Sequence, residues 1–253
     1  MLLNDLVSLI MRDCSEDKYL HADSFGKELA SETVNQGEFE RFYNHYKQIG
    51  QMCNDDNLNR QYDFIFCMMM KAIIIKADKK CCNKVDELVK FCLNELKCIM
   101  INELYLLCLY LENNQDVIKH TFAKFHSSIK NGLENAVRNT TWDIYHARFI
   151  EQEMSLYDEK TQMVILPYFA TNDRGVKDYW SINPRKMVVI KDNRPINIYI
   201  HNIGDIETMI NDKNLYYQIV DPSNQIKRRI EINNINIIEV KTSLLAKLKN
   251  VTI

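Results

Sequence analysis

The segment from Tyr62 to Ile75, YDFIFCMMMKAIII, puts apolar side chains on every side of whatever element it forms. No face of such a segment can be turned to water without exposing large hydrophobic groups, so it belongs in the interior. Periodicity alone does not separate a buried strand from a buried helix here. A bilayer span is excluded, because the run is too short and is interrupted by Lys71. With 253 residues of which 46% are hydrophobic, the chain has enough material to build a core around this segment.

Upstream, residues 4–13 and 37–52 carry helical apolar spacing (Leu6, Leu9, Ile10; Phe39, Phe42, Tyr43, Tyr46, Ile49), and the cluster Asn54-Asp55-Asp56-Asn57 favours a turn. This suggests a helical N-terminal extension over 1–57. Downstream, residues 83–97 form an amphipathic helix with Val85, Leu88, Val89, Cys92 and Leu96 on one face. Cys98-Ile99-Met100-Ile101 reads as a buried strand, Asn102-Glu103 opens a helix that runs through Leu111, helices follow over 115–130 and 142–157, and a strand over 163–170. Strand-like and helical elements thus alternate over 58–182, the pattern of a parallel α/β sheet covered by helices. From Lys186 the runs Met187–Ile190, Ile196–Ile200, Tyr216–Val220, Ile226–Ile232 and Ile235–Val240 are short and β-type, divided by Asp192-Asn193, Asp221-Pro222 and Asn233-Asn234, so 183–253 reads as a β-rich C-terminal part.

The 32 basic and 34 acidic residues nearly cancel, so no global field drives the chain onto nucleic acid and any such contact must be local. All eight cysteines lie in the first half, with no C-x-x-C pair or histidine spacing for zinc, and most sit in apolar surroundings where a free thiol acts as a small hydrophobe. The opening Met1-Leu2-Leu3-Asn4-Asp5 lacks the basic region of a signal peptide. A cytoplasmic protein without membrane association is expected.

Four acids stand where alternating elements can converge them: Asp63 in the buried run, Glu103 and Asp143 at helix starts, and Asp173 beyond the 163–170 strand. In a parallel sheet, strand C-termini and helix N-termini share one edge, so acids at these places face one another. Carboxylates held close repel, and a hard cation such as Mg²⁺ or Mn²⁺ relieves that repulsion and can generate a hydroxide nucleophile. Each acid also has a plain structural reading. Thr140 and Asp143 have capping-box spacing, Asn172-Asp173-Arg174-Gly175 suits an Asx turn, Glu103 suits a first helical turn, and Asp63 can pair with Arg60.

The strand followed by Asn102-Glu103-Leu104, the D-x-x-H-A helix at Asp143–Ala147 and the T-x-D ending at Thr171–Asp173 together resemble the PIN-like nuclease family, over about residues 98–180. The resemblance implies a parallel sheet flanked by helices, three or four acids holding Mg²⁺ or Mn²⁺, and cleavage of RNA. It assigns catalytic roles to Glu103, Asp143 and Asp173, adds Asp63 as a further metal ligand, and sets Thr171 as a hydroxyl near the metal. Toxins and defence effectors are common among such endoribonucleases. The alternative expectation is a catalytically inert PIN-like module that binds a regulatory protein partner.

His146, one helical turn after Asp143, is a candidate phosphate contact or proton carrier, against the plainer reading of a histidine touching the sheet. Arg174 can fork a phosphate. From Arg174 to Arg194 the basic residues Arg174, Lys177, Arg185, Lys186, Lys191 and Arg194 outnumber Asp178 and Asp192, so this strip is where RNA is expected to bind.

Overall fold

The run Tyr62–Ile75 is helical. In this computed structural model it lies inside α1 (Asp56–Ala77), where Phe64 to Met70, Ala72, Ile73 and Ile75 are all buried. Absence of Gly and Pro, together with Met68–Met70 and Ala72, favours the helix over the strand. Lys71 escapes the interior along its stem, with Nζ 5.1 Å from the Phe91 ring centroid. The structure describes residues 56–112, 118–123, 125, 132–153, 156–158, 163–165, 171, 173–191, 194–201 and 203–251. The helices expected at 4–13 and 37–52 lie outside these residues, as do most of the helix expected over 115–130 and residues 166–170 of the expected strand.

Two further helices contribute large buried faces to the core. The amphipathic α2 (Lys84–Asn94) buries Val85, Leu88, Val89, Phe91, Cys92 and Leu93. The α3 helix (Ile101–Leu111) is apolar nearly all round and buries Leu104, Leu106, Leu107, Leu109, Tyr110 and Leu111. Lys76, in the last turn of α1, donates from Nζ to the carbonyls of Tyr110 (2.6 Å) and Leu111 (3.2 Å), satisfying acceptors that the end of α3 leaves open. The strand expected at Cys98–Ile101 is absent. Lys97 adopts a left-handed φ of 50°, Cys98 N–H bonds back to Cys92 O at 3.1 Å, and Ile101 already begins α3. Cys98, Ile99 and Met100 here belong to the turn that links two helices.

Helix α4 (Leu133–Glu153) begins well before the expected start at residue 142. Thr140 and Asp143 are therefore in mid-helix, and their capping spacing is not used. After α4 come β1 (Leu156–Asp158) and β2 (Met163–Ile165), paired antiparallel. Then α5 (Arg174–Ile182) leads into a second antiparallel pair, β3 (Arg185–Lys191) and β4 (Arg194–Tyr199), with Met187 opposite Ile198 and Val189 opposite Ile196.

The remainder is helical: α6 (Ile203–Glu207), α7 (Lys213–Val220), α8 (Pro222–Glu231), a 3-10 turn (Ile232–Asn234) and α9 (Ile237–Leu248). These observations correct the expected architecture. Among the described residues the strands form two antiparallel pairs, and the parallel sheet of a PIN-like fold is not formed. Nor is the C-terminal part β-rich beyond the one hairpin. Of the expected polar breaks, Asp221 serves as a helix N-cap, accepting from Asn224 N–H (2.8 Å) with Pro222 as the first helical residue, and Asp212 and Asn236 cap the neighbouring helices by accepting from Asn214 N–H (3.0 Å) and Glu239 N–H (3.2 Å).

Arg60–Ile253 form one compact unit. Within it α4 packs on α5, α2 on α3 and α7, and α3 on α6. Among the described residues no helix is long and apolar enough to cross a membrane.

Candidate functional site

The four acids singled out from the sequence go to three different places. Asp63, on α1, pairs with Lys241 of α9 at 2.6 Å. That contact fastens the last helix to the central one.

Glu103, in the first turn of α3, is 1% exposed. Both of its oxygens accept from Arg148 Nη1 of α4 at 3.0 Å, and Oε1 also accepts from the Tyr179 hydroxyl of α5 at 3.2 Å. Burial works against the Arg148 charge, and the adjacent Glu103 carboxylate more than restores it, leaving the guanidinium held above its ordinary range. Three helices meet at this buried pair. Tyr179, a residue of the kind that could stack bases, is committed to it.

Asp143 and Asp173 border the same space. With His120, Thr121, Thr140, Ile144, Gly175 and Val176 they line one small hollow, which has about 10 Å³ of room for a water's centre, roughly one molecule. Asp173 is the N-cap of α5, its Oδ1 accepting from the N–H groups of Gly175 (2.7 Å) and Val176 (3.3 Å). Thr171 lies beside it, its Oγ1 accepting from Asp173 N–H at 3.0 Å. The other wall is clamped to α5. His120 N–H donates to Asp178 Oδ2 at 2.8 Å, the His120 ring nitrogen Nδ1 lies 3.1 Å from the same oxygen, and Thr121 Oγ1 donates to Gly175 O at 2.9 Å. Gly175 makes this approach possible, since a Cβ there would stand 3.2 Å from Thr121 Cα and 3.3 Å from His120 O. Reasoning from the sequence did not find His120 or Asp178. Nothing local marks them, because their pairing joins segments that the chain order separates.

Chemically the hollow sets two carboxylates and a carboxylate-oriented imidazole around a space of one-water size. It is too small to enclose a nucleotide. The donor set expected for Mg²⁺ or Mn²⁺ is not assembled: Asp63 and Glu103 are held elsewhere by cations, and Asp173 is engaged in capping. Among the described residues no group of three or more His, Cys, Asp or Glu side chains is placed to share a metal ion.

His146 sits in an aromatic cluster, with its ring centroid 5.1 Å from Trp142 and 6.0 Å from Tyr145. Burial pushes its pKa from the ordinary 6.5 down to about 4, so at neutral pH it carries no charge to offer a phosphate. Arg174 and Lys177 are exposed on α5, and Lys186 and Lys191 are exposed on β3. Arg185 is half-buried and donates to Asn197 Oδ1 at 3.3 Å. The basic strip is thus at the surface, but it carries something the sequence did not announce. On the same hairpin Met187, Val189, Ile196, Ile198 and Ile200 are exposed by 49, 40, 44, 39 and 53%.

Comparison of the chain with family models, with curated proteins and with solved structures finds no match.

Proposed function

We propose that the protein is a binding module that docks a partner protein on the outer face of the β3–β4 hairpin. One observation carries this reading: the register sets Met187 opposite Ile198 and Val189 opposite Ile196, and all four side chains are exposed. Cross-strand apolar pairs are a unit of sheet stabilisation when covered, and contiguous apolar surface left open on a folded protein marks an interaction site. The sequence of β3 supports this. Met187-Val188-Val189-Ile190 is apolar on both faces, as in strands covered on both sides, whereas here the alternate residues Val188 and Ile190 are the more sheltered ones.

The test starts from proteins recovered with the wild-type chain as bait, one of which is then purified and titrated. The double variant Ile196→Ser/Ile198→Ser should bind it at least about tenfold more weakly while keeping the wild-type melting temperature. Unchanged affinity in that variant would remove the hairpin from the reading.

A hydrolytic reading, cleavage of RNA, has a single observation in its favour, the meeting of Asp143 and Asp173 at one hollow with His120. Clean wild-type protein should then cut single-stranded RNA, with or without Mn²⁺, and Asp143→Asn or Asp173→Asn should not. Absence of cleavage by the wild type retires it.

A further inference from the structure

Resting on the docking reading above, we infer that the occupant of the β3–β4 face is an amphipathic helix whose apolar stripe is flanked by acidic residues. The apolar part follows from the covered layer that the hairpin lacks. A helix laid across a sheet is the general way to bury one of its faces, and an amphipathic helix offers side chains at i, i+3, i+4 and i+7 to such a surface.

The acidic part follows from the rim. Residues 185–200 contain Arg185, Lys186, Lys191 and Arg194 against the single acid Asp192. Lys186 and Lys191 are exposed at the two ends of the apolar row on β3, and the register sets Lys191 directly opposite Arg194. A neighbour carrying carboxylates is steered toward the apolar centre by the exposed Lys186 and Lys191. A second copy of this face would do the reverse, setting one basic rim against another. Helix α5 adds Arg174 and Lys177 upstream, both exposed, and no exposed acid lies along β3 itself.

Two synthetic helical peptides of about 15 residues provide the probe, each with leucine at the i, i+3, i+4 and i+7 positions, one flanked by glutamate and the other by lysine. Fluorescence anisotropy with the full chain should give at least about tenfold tighter binding of the glutamate peptide, weakened by added salt. Lys186→Glu/Lys191→Glu should reverse the order of the two peptides, a gain that loss of folding cannot imitate. Ile196→Ser/Ile198→Ser should abolish binding of both. Equal affinity for the two peptides, binding of neither, an order unaffected by the charge reversal, or preference for phosphatidylserine vesicles or single-stranded RNA over the glutamate peptide overturns the inference. If the serine variant still loses the natural partner while the peptides show no charge preference, only the acidic helix is wrong. If it loses nothing, the docking reading fails as well.

Discussion

Glu103 and Arg148 show what one buried charge demands of its surroundings. Glu103 is 1% exposed, and its carboxyl oxygens meet three donor contacts supplied by Arg148 and Tyr179 from two other helices. Glu103→Ala should therefore cost about 3–5 kcal/mol in urea unfolding, since it strands a buried guanidinium, whereas Glu103→Leu combined with Arg148→Met should recover most of that loss. A double variant no better than the single one would mean that the cost lies in packing instead. His146 sets a pH limit by the opposite route. The folded protein holds its imidazole neutral with a pKa near 4, while the unfolded chain takes up a proton below about 6.5. This contribution to stability is complete above pH 6.5 and is lost as pH falls toward 4. Melting curves at several pH values across that window should show His146→Phe losing less stability than the wild type, and parallel declines would remove His146 as a source of acid sensitivity.

At the scale of elements, polar ties fasten the C-terminal helices where apolar burial is thin. Asp86 of α2 is buried and accepts from the backbone N–H groups of Asn211 (2.8 Å) and Asp212 (3.1 Å), joining α2 to the start of α7. Asp86→Ala leaves both donors without their acceptor and should destabilise the fold by about 2–4 kcal/mol in denaturant titration; a change under about 0.5 kcal/mol would mean that water replaces the carboxylate. Helix α8 buries no residue. It is held by the Asp221 cap and by Arg228, whose Nη1 and Nη2 donate to Gln218 O (2.6 Å) and Ile219 O (2.9 Å) at the end of α7. Asp221→Ala removes about 1 kcal/mol of capping from a helix that buries no residue. Hydrogen exchange should then quicken along α8 while α1 and α3 stay protected.

At the scale of the whole molecule, α1 is surrounded by helices and one hairpin face is left open. The exposed pairs make a prediction that separates folding from binding. Because Ile196 and Ile198 are already wetted, their replacement by serine should change global stability by less than about 0.5 kcal/mol. A large loss of stability on this substitution would show that the face is covered within the chain and not by a partner. The hollow at Asp143 and Asp173 belongs to this scale too, since α4, α5 and the 120–121 segment each contribute a wall. Gly175→Ala would crowd Thr121 Cα and His120 O and should loosen that wall at a cost of about 1–3 kcal/mol.

The sequence by itself determined that Tyr62–Ile75 is interior, that α2 and α3 are helical, and that Met187–Ile190 and Ile196–Ile200 are strands, because side-chain pattern and burial are local properties of the chain. It set Asp63, Glu103, Asp143 and Asp173 together on one edge of a parallel sheet, whereas the structure forms no such sheet among the described residues and places Asp63 and Glu103 apart from the other two. It read the isoleucine-rich runs after Tyr216 as strands from their β-branched residues, whereas the structure makes them helices capped by Asp212, Asp221 and Asn236. The caps prevailed because helical packing, such as that of α7 on α2, outweighs weak intrinsic preferences. Only the tertiary structure decided that Asp63 and Glu103 are neutralised by Lys241 and Arg148, and that His120 meets Asp178. Those pairings join residues from 45 to 178 positions apart, and a partner at that separation leaves no trace in the local pattern of either residue.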